Sequence, residues 1–378
     1  MSRIAVLGSG AWGTAIALAL HRRGGHHVTL WSHSNEEAAQ ISAAQENVLF
    51  LPGFPLPAEI VNTADGAAVS DAEIVVSVIP SGFLRPTLAR LRPHFRSGQI
   101  VVSATKGVEN DTFLRMTEVI ASTLCASCVD SRLKRTSIAN ADTGLEVFTE
   151  SGAPQVSSSG FTPAPRDLDE LILPIGAFSG PSFALEVAQG QPTAVTVAFD
   201  DPAIAERIQQ EFSSETLRLY ASTDVIGVEL GGALKNVIAI AAGVAAGMGL
   251  GHNSSAALMT RGIAEITRLA VACGGRRETL AGLSGVGDLV LTCTGSLSRN
   301  RTVGQGLGQG RSLPEILESL GGKVAEGVLT TRAALGLARR HNIEMPITEQ
   351  MELLLDEGKD PREAIKDLML RPGKHEQR

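Results

Sequence analysis

Aromatic side chains are scarce in this chain, at 4% of 378 residues, whereas 40 residues are glycine. That balance suits close helix packing and tight turns. Positive charge is lacking as well: the formal net charge is -7 and the pI about 5.7, which removes the overall field a nucleic-acid binder needs but leaves room for a local anion pocket. Of four cysteines, Cys273 and Cys293 stand apart. Cys125 and Cys128 form a single C-x-x-C, and no Cys/His pair at zinc spacing accompanies it, so no metal is expected. A convincing membrane span is missing too. Arg3 precedes only a short apolar strand, without the features of a secretory signal, and the apolar stretch 237–246 is short and glycine-rich for a bilayer span. The expectation is a cytoplasmic protein with no stable membrane insertion.

What is present is globular: 43% hydrophobic and 19% charged residues, in a chain long enough for two domains. Residues 4–7 read as a buried strand running into Gly8-Ser-Gly10-Ala-Trp-Gly13 and an alanine-rich helix. Gly8 permits the tight turn, Gly10 leaves room for a pyrophosphate, and Gly13 lets helix and strand pack closely. Phosphate would lie at the helix N-terminus. The second strand, 27–31, ends in Ser32-His33-Ser34 instead of the acidic residue that would hold a ribose 2'-hydroxyl. Ser32 and Ser34 offer hydrogen bonds to a 2'-phosphate and His33 a stacking or polar contact, which mildly favours NADPH and leaves NADH open. Ser34 also fits a plain helix cap. Further strands are expected over 74–79 and 98–103, the first ending at Pro80 and the second running into Lys106.

The run 224–247 is apolar on nearly every helical face yet carries Lys235 and Asn236 at its middle. Such a helix is an interior one, and a buried ammonium needs water or a partner. Lys235 either snorkels from the helix edge or faces a ligand cleft. Asp288 caps a helix or orients a cation. Ser298-Arg299-Asn300-Arg301 combines guanidinium forks and an amide in a way that suits phosphate. Ser182, in a glycine-proline turn, has no neighbouring histidine that would make it a nucleophile. Between 124 and 171 the pattern deteriorates into an irregular excursion rich in serine, glycine and proline.

Nearly the whole chain resembles bacterial NAD(P)-dependent glycerol-3-phosphate dehydrogenases. The resemblance rests on GSGAWGTAIA at 8–17, ATKGVE at 104–109, SGPSFA at 179–184, VELGGALKNVIAIAAG at 228–243, GLGHNSSAALMTRGIAE at 249–265, LSGVGDLVLTCTGSLSRN at 283–300 and VAEGVLT at 324–330. It implies an α/β N-terminal Rossmann-like domain over 1–210, with an insertion near 124–171. A mainly α-helical C-terminal domain follows over 211–372, then a flexible tail over 373–378. It also implies hydride transfer between NAD(P)H and dihydroxyacetone phosphate to give sn-glycerol 3-phosphate, in a homodimer. A related dehydrogenase for another phosphorylated or 3-hydroxy substrate, or a noncatalytic NAD(P) sensor, are the alternatives.

By the same resemblance Lys235 is the general acid/base, Lys106 a second lysine at substrate and cofactor, and Asp288 the carboxylate that orients them. Asn236 and Thr292 position substrate. Gly180, Ser182, Ser298, Arg299 and Asn300 contact it, Arg299 also touching cofactor. Gly8, Gly10, Ala11, Trp12, Gly13, Ser32, His33 and Ala184 fit cofactor positions, with Val324 and Glu326 near the adenosine end. The family places more basic side chains than Ser32-His33 at the end of its second strand. It also joins 106 to 180 by a much shorter segment.

Overall fold

The strands predicted at 4–7 and 27–31 are the start of an eight-stranded sheet in the computed structural model, which describes residues 1–125, 171–321, 325–373 and 375. In chain order the strands are β1 Ser2–Leu7, β2 His26–Trp31, β3 Val61–Thr63, β4 Ile74–Ser77, β5 Ile100–Ser103, β6 Ile175–Ser179, β7 Thr193–Ala198 and β8 Leu217–Ser222. Their spatial order is β3-β2-β1-β4-β5-β6-β7-β8, and only β6 and β7 pair antiparallel. Successive strand side chains face opposite ways. Ile4 and Val6 therefore pack with Ile16 and Leu20 of the helix Ala11–Arg23, while Ala5 and Leu7 meet Leu84 and Leu88 of the helix Ser81–Leu91 on the other face. The strand order reverses between β1 and β4, and ligands bind such sheets at the carboxyl ends of the strands beside that switch. The division expected at 210/211 falls before β8, which pairs with β7 from Thr193↔Leu217 to Ala198↔Ser222, so the sheet continues to Ser222.

Asp224 caps the next helix, Val225–Gly247, its carboxylate accepting from Gly227 N at 2.9 Å. This core helix has the extent expected from the run 224–247, and it is long and apolar enough to cross a bilayer. Helices His252–Ala272, Asp288–Thr294, Arg299–Gly308, Glu326–Arg340 and Pro346–Asp356 instead surround it, and every residue from Val228 to Ala245 is buried. Burying each leucine or isoleucine here contributes about 1.5–3 kcal/mol. The two charges on the helix, Glu229 and Lys235, each cost several kcal/mol unless paired.

Glycines set its closest contact. Gly243 and Gly247 face Gly304 and Gly308 of the helix Arg299–Gly308, and a Cβ on any of the four would strike backbone of the opposite helix. Backbone therefore lies on backbone, with no side-chain layer between.

The C-terminal helices carry a pH-sensitive tie. Buried Glu265 accepts from Ile347 N at 2.7 Å and Thr348 N at 3.4 Å, at the start of the helix Pro346–Asp356. Burial pushes its pKa from 4.5 up to about 7, against the opposing pull of those N–H groups. The folded state thus holds a proton that the unfolded chain has already released between those two values. Stability should fall as pH rises from about 4.5 to 7, by up to about 1.4 kcal/mol per unit, and level off above. Urea melts across that range should show a flatter dependence in Glu265→Gln; an unchanged slope would assign the effect elsewhere.

Candidate active site

The fingerprint turn sits where β1 enters the first helix. Gly8 has φ 114°, and a Cβ on Gly13 would collide with the Gly8 carbonyl. At Gly10 an added Cβ would meet nothing within 4 Å, so space opens above the helix N-terminus, which no side chain caps. Free N–H groups at Ala11, Trp12 and Gly13 aimed into open space fit a pyrophosphate. Trp12 leans on Phe178, ring centroids 6.2 Å apart, and Ala184 begins the short helix Ala184–Ala188 nearby in the same core layer.

Beyond the carboxyl end of β5, the structure gathers the two predicted lysines around one carboxylate. Asp288 is buried at the start of the helix Asp288–Thr294, after a π-helical turn Leu283–Gly287. Lys235 Nζ lies 2.8 Å from its Oδ1, and Lys106 Nζ lies 2.7 Å from its Oδ2. Lys235 also donates to Thr292 Oγ1 at 2.5 Å, and that hydroxyl donates onward to the Asp288 carbonyl at 2.6 Å. Lys106 reaches the Gly180 carbonyl at 3.3 Å, which also accepts from Ser182 Oγ at 3.1 Å. Lys235 does not snorkel: it is only 6% exposed. Burial is the main reason its pKa drops from 10.5 to about 8. Asp288 opposes the drop and the charge of Lys106 adds to it. Burial pushes the neighbouring Cys293 thiol up to about 12, so it is a protonated wall of the site and no nucleophile.

Beside this cluster, Ser298 caps the helix Arg299–Gly308 by accepting from Arg301 N at 3.2 Å. Arg299 is exposed at its first turn. Asn300 is buried, its Oδ1 accepting from Gly327 N at 2.9 Å, and a Cβ on Gly327 would touch both Asn300 Oδ1 and the Asn236 carbonyl. Asn236 and Asn300 thus flank one glycine. Glu326 accepts from Ser81 Oγ at 2.6 Å, and burial raises its pKa. Val324 and Cys128 lie outside the described residues, as does nearly all of 124–171. Cys125 is buried at the end of the helix Met116–Leu124.

The end of β2 differs from the expectation. Ser32 is fully buried and donates to Asn62 Oδ1 at 3.0 Å, so its hydroxyl is committed inside the fold. Ser34 caps the helix Asn35–Ala44. His33 is exposed beside a cavity of about 440 Å³, which Trp31, Arg90 and His94 also line. Arg90, which sequence reasoning missed, stands 5.2 Å over the Trp31 ring and donates to the His33 carbonyl at 3.3 Å.

A dinucleotide-shaped turn at a sheet switch point, facing a buried lysine-carboxylate cluster on a helical domain, defines a two-domain nicotinamide-dependent dehydrogenase. The family model for the NAD-dependent glycerol-3-phosphate dehydrogenase C-terminus matches residues 224–366, and that for its N-terminus matches 3–133 and 165–205. The chain belongs to the NAD-dependent glycerol-3-phosphate dehydrogenase family. It is 53% identical to a glycerol-3-phosphate dehydrogenase [NAD(P)+] of Acidobacterium capsulatum over 100% of both chains, and 52% identical to that of Koribacter versatilis over 98% of both. A crystal structure of glycerol-3-phosphate dehydrogenase from Coxiella burnetii superposes with TM-score 0.82 at 34% identity, covering 98% of this chain and 99% of that one. The stretch 134–164, unmatched by the family model, falls within the expected excursion.

Proposed function

We propose that the protein catalyses reversible hydride transfer between NAD(P)H and dihydroxyacetone phosphate, forming sn-glycerol 3-phosphate for phospholipid synthesis. The observation that carries this reading is the meeting of Lys106 and Lys235 on the two oxygens of Asp288, beside a helix start bearing Arg299 and Asn300. Gly8, Gly10, Ala11, Trp12 and Gly13 would hold the dinucleotide, whose nicotinamide, once bound, supplies or takes the hydride. In reduction the ketone oxygen gains negative charge, and the Lys235 ammonium stabilises it and donates the proton. Asp288 holds both lysines in place through its two oxygens, while Thr292 fixes the direction of Lys235 Nζ. Lys106 adds a second positive charge near the same oxygen. Arg299 and the Asn300 amide nitrogen, with Ser298 and Asn236 beside them, would take the substrate phosphate. Oxidation reverses the roles, with neutral Lys235 accepting the alcohol proton. A steady-state assay with dihydroxyacetone phosphate and NADPH or NADH tests the reading, and no turnover with either cofactor would refute it. The family resemblance supports a cytoplasmic homodimer, which light scattering of the purified chain checks as to its oligomeric state.

NADPH is the favoured cofactor in this proposal. Ser32 is turned inward, but Arg90 brings a guanidinium to the end of β2 beside His33, where an adenosine 2'-phosphate would lie. A charge-assisted hydrogen bond contributes about 1.5–3 kcal/mol. Arg90→Ala should therefore lower kcat/KM for NADPH by about 10–100-fold and leave that for NADH nearly unchanged. An equal loss with both cofactors would remove Arg90 from 2'-phosphate recognition.

A further inference from the structure

Beyond Lys106 and Gly107, the chain turns back on itself before entering the helix Met116–Leu124. Val108 bridges to Arg115, Glu109 N donates to the Leu114 carbonyl at 2.9 Å, and Phe113 N donates to the Glu109 carbonyl at 2.9 Å. The tip of this turn crosses to the helical domain. Phe113 has φ 58°, a conformation that a bulky residue holds only where its surroundings impose it. Its ring fills the notch at Gly336, where a Cβ would collide with it. Arg340 covers the ring at 4.4 Å and donates to the Thr112 carbonyl at 2.9 Å.

The base of the turn is tied to the core helix itself. Arg115 Nη1 lies 2.5 Å from Glu229 Oε2, and Glu229 also accepts from Thr117 N and Thr117 Oγ1, each at 2.7 Å. Glu229 precedes Lys235 by six residues on that helix, a rise of about 9 Å. On the sheet side, Glu109 pairs bidentately with Arg85, both bonds 2.8 Å.

We propose that residues 108–117 form a strap that sets the separation of the two lysines. Phe113 seated at Gly336 and Arg115 paired with Glu229 make the Lys106 loop move with the core helix, so both ammoniums meet Asp288 as one unit. Phe113, Arg115 and Glu229 are positioning residues: they touch neither substrate nor cofactor and act through Lys106. This inference rests on the proposed function, because it takes Lys106 and Lys235 to serve one substrate. Remote displacements of about 1 Å are enough to cost about 100-fold in rate, and the contacts of Phe113 and Arg115 oppose a displacement of that kind.

The test uses full-length Phe113→Ala, Phe113→Leu and Glu229→Gln, with Arg332→Ala as a control in an exposed ion pair with Asp356. Phe113→Ala should lower kcat/KM for dihydroxyacetone phosphate by about 100-fold and shift the pH dependence of kcat. Phe113→Leu should restore most of the loss, and Glu229→Gln should repeat the pattern more weakly. A loss of melting temperature with unchanged kcat/KM and an unshifted pH profile would overturn the strap. Amide exchange at residues 104–108 provides the separate arm. It should quicken in Phe113→Ala whatever the substrate, and unchanged exchange also overturns the proposal. An inert wild-type protein would instead count against the proposed function.

Discussion

Lys235→Met should lower kcat for dihydroxyacetone phosphate reduction by at least about 10³-fold while NADPH binding, read by fluorescence titration, stays intact. Proton donation to a developing alkoxide contributes about 10²–10⁴-fold, and a preorganised positive charge at the same oxygen adds to it. Methionine keeps the length and apolar stem, so the surrounding helices remain packed. The pH profile of the wild-type protein gives the same assignment a sign. With its pKa lowered to about 8 by burial, Lys235 is ammonium below that value and amine above it. Reduction should weaken as pH rises through about 8, and glycerol 3-phosphate oxidation should strengthen over the same interval. If Lys235→Met retained either limb with near-normal kcat, another group would be the acid.

Asp288→Asn should have the next largest effect, through the opposite charge. Removing the carboxylate leaves Lys106 and Lys235 facing one another, and uncompensated buried charge costs about 3–5 kcal/mol. The protein can relieve that cost by releasing the Lys235 proton. The acid limb for reduction should therefore move below its wild-type position near 8, with kcat at neutral pH down by about 100-fold. Raising the proton concentration should recover part of the reductive rate, whereas Lys235→Met would show no such recovery. A limb left in place would mean that Asp288 has no hold on the Lys235 proton.

Much of this site was legible because its signals are local. Gly8, Gly10 and Gly13 carry their spacing in sequence, and Lys235 is conspicuous in an apolar run. Glu229 is a second charge in that same run, equally in need of a partner once buried. Arg90 and Phe113 gave no local sign. Arg90 sits on a helix after β4 yet reaches the His33 carbonyl at the end of β2, and Phe113 reads as an ordinary loop aromatic until Gly336 and Arg340 are brought to it. Ser32 was placed correctly along the chain but not in direction, since its hydroxyl is claimed by Asn62. The division expected at 210/211 cuts β8 from the sheet because its partner, β7, lies beyond an intervening helix.

The glycine contact between the core helix and the helix Arg299–Gly308 bears on how firmly the two helices of the site are spaced. Lys235 and the Arg299–Asn300 pair belong to two rods whose gap is the thickness of main chain. No rotamer change can widen it. A residue with a Cβ at Gly243 or Gly304 would be accommodated only by lifting a whole helix off its neighbour. The fold in this sense works as a rigid spacer, calibrated in peptide backbone, between the helix that carries Lys235 and the one that carries Arg299 and Asn300.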